Sequence, residues 1–143
     1  MEHFTIATVA ERSPDFRRVL WTGKHTQLVV MTIPPGGEIG EEVHEVDQIL
    51  TFVSGVGTAT VSGQTRNVAQ GDLVAVPAGH KHNFVNAGPN PLVLYTVYGP
   101  PEHADGAVRG MTPGGTLPAA RNPHRSACPI GRRPVAPMRY FGR

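Results

Sequence analysis

Gly71-Asp72-Leu73-Val74-Ala75-Val76-Pro77-Ala78-Gly79-His80-Lys81-His82-Asn83-Phe84-Val85-Asn86 is the stretch whose reading decides the fold. Gly-Asp marks a turn, LVAV is a short run that suits a pleated strand, and Pro-Ala-Gly breaks the run before a second one begins. In an extended chain side chains alternate between two faces, so His80, His82, Phe84 and Asn86 share a parity.

The same grammar extends on both sides. From Gln27 onward short β-branched runs alternate with Gly, Pro and Asn: QLVVMTI, PPGGEIG, DQILTFV, SGVG, TATVSGQTRNV, AQGD and LVLYTVY. Strands at roughly 8- to 12-residue spacing with turn signals between them predict an all-β barrel or sandwich. The one expected helix or helical turn is a weak one over residues 13–19, opened by Ser-Pro and docked by Phe16 and Val19. Residues 4–9 are expected to form a strand edge open to exchange with a second subunit, giving a homodimer.

A chain of 143 residues suits one domain with one core. With 39% apolar and 17% charged residues it is too apolar for wholesale disorder and too interrupted for a membrane span. Gly and Pro, 17 and 14 residues, favour short strands over long helices. The N-terminus lacks the pattern of a secretory or transit signal, so a cytoplasmic location is expected. The single Cys128 has no second thiol with which to pair or to build a zinc ribbon.

Charge divides the chain. Residues 1–103 hold six basic and ten acidic residues, whereas residues 104–143 hold seven arginines and one aspartate, with six prolines and six glycines. The expected organisation is an N-terminal segment over 1–24, a barrel over 25–108 and an extended or disordered tail over 109–143. A near-neutral whole argues against nucleic acid or membrane as the main partner.

Chemistry concentrates on one face. If residues 42–52 are extended, Glu42, His44, Gln48, Leu50 and Phe52 look one way, so the face changes from metal-ligand types to apolar types along its length. That is the inward face of a small barrel with a site at one end and packed core at the other. With His82 from the second stretch, four N/O donors from separate strands can converge on a divalent ion such as Mn, Fe, Zn or Ni. Taken singly, each histidine reads more readily as a surface or hydrogen-bonded residue; two strands with the right parity reduce that advantage. Asp47 has the wrong parity for the cavity, His80 sits too early in its turn, and Tyr95 and Tyr98, three apart, cannot both point inward.

Residues 71–86 resemble the second motif of the cupins without a gap, through Gly71, Pro77, Gly79, His82 and Asn86. The first cupin motif is matched in register, with Gly36 or Gly37 opening it and Gly55 closing it, but Glu42-Val43-His44 stands where His-x-His is usual and Gln48 where Glu is usual. The segment from Tyr98 to Val108, YGPPEHADGAV, is similar to the closing segment of a subgroup of small bacterial cupins. The resemblance covers residues 25–108 and implies a double-stranded β-helix, or jelly-roll barrel, holding one divalent metal ion per chain on Glu42, His44, Gln48 and His82. It further implies a small-molecule substrate or ligand. His103 in the closing segment is the candidate general acid or base at the rim. Isomerase, epimerase, lyase and dioxygenase chemistries all occur on this fold, as does non-catalytic binding or sensing, and the fold does not choose among them.

Overall fold

Residues 1–111, those described by the computed structural model, form one short helix and nine strands. The helix α1 spans Ile6–Arg12; the strands are β1 (Arg17–Thr22), β2 (Gln27–Ile33), β3 (Asp47–Ser54), β4 (Val56–Val61), β5 (Gln64–Ala69), β6 (Leu73–Val76), β7 (His82–Val85), β8 (Leu92–Gly99) and β9 (Val108–Arg109). All strand pairs are antiparallel. They make a larger sheet in the order β6-β3-β8-β2-β1-β9 and a smaller one in the order β5-β4-β7. Segment 36–42 lines the free side of β7: Ile39 donates its N–H to the Phe84 carbonyl, and Glu42 and His82 exchange both backbone hydrogen bonds, each at 2.9 Å. The two sheets close on each other as the expected jelly roll.

Alternation puts Val29, Met31, Leu50, Phe52, Phe84 and Leu94 between the sheets, where they form the main core. Fully burying one such side chain is worth about 1.5–3 kcal/mol, so this cluster is a large part of what joins the layers. The run QLVVMTI is buried almost throughout instead of alternating. The reason is a second small cluster, Ala10, Val30, Val53 and Val93, in which α1 covers the outer face of the larger sheet. A strand covered on both faces has no polar side to show.

The N-terminal expectations are corrected here. The helix lies at Ile6–Arg12, and residues 17–19 begin a strand instead of ending a helix. Pro14 disfavours helical backbone at the residue before it, and Ser13 is accordingly extended at ψ 122°. Ser-Pro therefore stops a helix that Ile6, Val9 and Ala10, spaced i, i+3 and i+4, had docked. Residues 4–9 accordingly present no strand edge for exchange with a second subunit. The tail assigned to 109–143 lies, beyond Met111, outside the described residues, and its first residue Arg109 belongs to β9, paired with Arg17. No helix among the described residues is long and apolar enough to cross a membrane.

Two turns fix the site. Gly55, at φ +87°, joins β3 to β4 where a Cβ would lie 2.5 Å from the Pro91 carbonyl oxygen, so only glycine fits. Gly79, at φ +79°, turns the chain before β7 so that its N–H donates to the His44 carbonyl at 2.7 Å. Asp47 points outward, as its parity requires, and accepts from the Ala78 N–H at 2.9 Å. These two bonds tie the turn before His82 to the segment that carries His44.

Candidate metal centre

Three of the expected ligands come together. Glu42, His44 and His82 each offer one ligand atom, and these atoms lie within 4.8 Å of one another at one end of the barrel interior. Glu42 arrives on the segment paired with β7 and His82 opens β7, so their mutual backbone bonds set the two side chains side by side. His44 Nε2 lies 3.1 Å from Glu42 Oε2. The His82 ring donates Nδ1–H to the His80 carbonyl at 2.9 Å, which leaves Nε2 as its free donor atom. His80 itself is exposed and bonds Ser62 Oγ.

Gln48 is buried on the same inward face, beside the cluster rather than bonded to it. Its Nε2 donates to the Tyr98 hydroxyl at 3.0 Å, and its Oε1 is buried with no hydrogen-bond partner. Tyr98 packs edge-on against His44, with ring centroids 5.7 Å apart. Of the two candidate tyrosines, therefore, Tyr98 lines the site and Tyr95 packs in the outer cluster under α1. Asn86, the last residue of the motif, is wholly committed to the fold, donating to the carbonyls of Ile33 and Asn90 and accepting from the Gly88 N–H.

Residues 29–98 match the Cupin domain family. A solved structure from Bacillus halodurans is 34% identical and superposes with a TM-score of 0.74 over 80% of this chain and 89% of that one. The chain is a cupin. Among its curated relatives, YrkC of Bacillus subtilis is 39% identical over 72% of this chain, of whose own length the chain spans 59%, about three fifths. The Streptomyces coelicolor protein SCO3923 is 39% identical over 55% of this chain and 74% of its own length.

In this cupin the donor set fits a divalent cation. Two imidazoles and one carboxylate are the borderline ligands that first-row metals accept, and the orphaned Gln48 oxygen is a buried acceptor awaiting a partner. Burial opposes ionisation of Glu42, but the hydrogen bond and charge of His44, helped by Arg17 and His82, outweigh it and hold its pKa below the ordinary carboxylate value. Burial likewise opposes a charged His44, yet hydrogen bonds and charge from Glu42 and then Glu102 raise its pKa. Lying between two carboxylates, the ring donates from both nitrogens only as imidazolium, so binding an ion at Nε2 must displace a proton. Burial, with the charge of His44 adding to it, lowers the pKa of His82 and keeps that imidazole neutral.

The closing segment adds residues that pattern reading missed. Glu102 Oε1 lies 3.1 Å from His44 Nδ1, the carboxylate–imidazole contact that orients a metal-ligating histidine. Gln27, wholly buried, anchors the segment: its Nε2 donates to the His103 carbonyl at 2.8 Å and to Thr22 Oγ1 at 2.9 Å, while its Oε1 accepts from the N–H groups of His103 and Glu102. His103 is thereby held with its ring 5.0 Å from that of Tyr98 and 6.4 Å from that of His44, and its Nε2 is buried without a partner. Burial first, then the charges of Arg17 and His44, push its pKa down to about 4. The only sequence signals for Glu102 and Gln27 were a charged residue in a proline-flanked loop and a polar residue opening an apolar strand.

Proposed function

We propose that Glu42, His44 and His82, with Gln48 Oε1 as a fourth donor, hold one Mn, Fe, Zn or Ni ion, and that this cupin is a metal-dependent enzyme acting on a small oxygenated molecule. The observation that carries the reading is the convergence of two oriented imidazoles and a carboxylate within 4.8 Å, beside two buried polar atoms, Gln48 Oε1 and His103 Nε2, that no protein group satisfies. Buried polar atoms are ordinarily paired, and orphans at one place mark a bound group.

A bound ion supplies Lewis acidity toward a substrate carbonyl or hydroxyl, or with iron a site for dioxygen. The protein residues supply the rest. His103, neutral around pH 7, presents Nε2 as an acceptor for a substrate proton. Tyr98, whose pKa is pushed far up by burial and by the nearby Glu42 charge, stays a phenol and holds Gln48 in place. Glu102 fixes the His44 ring, and the closing segment limits water around it.

The test is elemental analysis of tag-free protein purified without chelators, followed by NMR screening of sugar derivatives and keto or hydroxy acids for conversion that stops when the metal is stripped. A stoichiometric ion with turnover is the expected result. Saturable binding without turnover makes the protein a sensing or binding cupin, and absence of any ion after reconstitution overturns the metal centre.

A further inference from the structure

The outer face of the larger sheet carries an apolar row that the helix does not explain. Trp21, Leu28, Val97, Ile49 and Ala75 stand in direct register across β1, β2, β8, β3 and β6. Gln27, Tyr98, Gln48 and Val76, each next to a member of the row along its strand, are buried on the inward side, so the row points the other way. Trp21 and Ile49 remain 40% and 45% exposed. The uncovered face of an antiparallel sheet normally shows polar side chains at such positions. α1 accounts for the apolar residues further along the strands, Val30, Val53 and Val93, which it buries, but the row lies beside that cluster. Trp21 is also held in place: its indole lies so close over Gly23 that a Cβ there would overlap the ring. At this end of the row Glu2 and Phe4 line a groove over Leu28 and Val97, which gives the face relief.

An apolar sheet face is matched by a second such face about 10 Å away, with the side chains of the two interdigitated. A second copy supplies one, and the surroundings of the row favour it in one arrangement. α1 stands on the sheet to one side of the row, so two copies close without setting helix on helix when a two-fold axis runs along the row and carries the two helices to opposite sides. The flanking charges agree with that axis. Arg18 lies one outward row to the helix side, in register with Val30, and Asp47 one outward row to the other side, in register with Gly99. The axis exchanges the two flanks, so neither charge meets its own copy. Each is also answered within its chain, Arg18 by Asp15 at 2.7 Å and Asp47 by the Ala78 N–H at 2.9 Å. Five strands about 4.8 Å apart and two to three outward rows about 6.8 Å apart make roughly 400 Å² in projection. With the flanks of the helices added, that approaches the lower end of specific interfaces, about 600 Å² per partner, so the association is of micromolar strength rather than obligate.

We propose that the row from Trp21 to Ala75 is the face through which two copies of this chain form a dimer, row upon row, with Ile49 next to its own counterpart on the two-fold axis. This interface takes the place of the strand exchange expected at residues 4–9, and it lies on the opposite side of the sheet from the metal centre.

The test is sedimentation equilibrium of the full chain as wild type, Ile49→Glu and Ile49→Lys, each alone and the two variants mixed in equal amounts. Wild type should be largely dimeric at about 100 μM, as a micromolar dissociation constant requires. Each variant alone should lose on the order of 100-fold in dimer affinity, because the axis sets two identical charges against each other. The mixture should recover the dimer, since Glu on one copy then meets Lys on the other. Val56→Glu, a charge placed on an exposed apolar residue of the smaller sheet, should leave association unchanged, and circular dichroism checks that each variant is folded. If the Ile49 variants do not fold, Ala75→Glu and Ala75→Lys, on the same row and axis, give the same reading. A monomeric wild type, an Ile49→Glu protein as dimeric as wild type, or a mixture that stays as monomeric as its components would overturn the proposal.

Discussion

Two buried glutamines sit in one row of the larger sheet and do opposite things. Gln48, Tyr98 and Gln27 are paired in register across β3, β8 and β2. Gln27 makes four hydrogen bonds, two at each end of its amide, and binds the closing segment to the barrel; Gln48 leaves its oxygen orphaned beside the histidines. Four residues further along, the same strands give the row Phe52, Leu94 and Met31, with no polar atom at all. Parity decides which side chains enter the barrel, and hydrogen bonding separates these two glutamines, one committed at both ends to the closing segment and β1, the other with its oxygen left over.

The sharpest way to break this contrast is to truncate one residue at each end. Phe52→Ala, in the apolar row, should lower unfolding free energy by about 3–5 kcal/mol, as large-to-small core changes do, measured by urea denaturation of metal-free protein. His44→Ala and His82→Ala should instead keep β-rich circular dichroism while losing most bound metal in elemental analysis. Unfolding of both histidine variants would mean that the polar end, too, is part of what holds the sheets together.

Glu102 sharpens the comparison one step out from the ion. Replacing it with Gln keeps the shape but removes the negative charge at His44 Nδ1, and such outer partners are worth about 10- to 100-fold in metal affinity. Competition with a chromophoric chelator reads the change directly. An affinity equal to wild type would make the 3.1 Å contact incidental to the metal.

How far the sequence carried this picture follows from the same physics. Glu42, His44, Gln48 and His82 could be read as inward-facing because burial alternates along 42–52, although β3 begins only at Asp47 and Glu42 pairs instead with His82. Gln27 and Glu102 could not, because they reach the site from β2 and the closing segment through strand order, which no local period encodes. The helix was misplaced for a local reason: Ser-Pro carries both a start and a stop signal, and only the docking of Ala10 under the larger sheet decides between them.

Gln48→Glu tests the row itself. If the oxygen of Gln48 is a ligand, the carboxylate adds a negative charge beside the ion while its second oxygen accepts from the Tyr98 hydroxyl, reversing the bond that Gln48 Nε2 donates there, so metal should bind about tenfold more tightly and the ion becomes a weaker Lewis acid. If Gln48 only steadies Tyr98, the new charge near Glu42 goes unanswered and binding weakens. Metal titration of both proteins in one buffer decides which.

The smallest expected effect is one of pH. The folded-state pKa of His103 is pushed to about 4, against about 6.5 for an unfolded histidine. Between those values the unfolded chain binds a proton that the folded one refuses, so stability falls as pH drops through this window and levels off below it. His44 has the opposite sign: its raised pKa gives stability that is complete below about 6.5 and is lost as pH rises through the folded value. The two therefore act on different sides of about pH 6.5, and metal-free protein should be most stable near that pH as far as these groups are concerned. Because His103 is only partly buried, solvent screening reduces its share to on the order of 1 kcal/mol. His103→Gln should flatten the fall in Tm between about pH 6.5 and about pH 4 while leaving the slope above 6.5, which belongs to His44, as it is. If the acid-side slope is the same in both proteins, the imidazole is hydrated in solution, and His103 drops out as the neutral proton acceptor of the site.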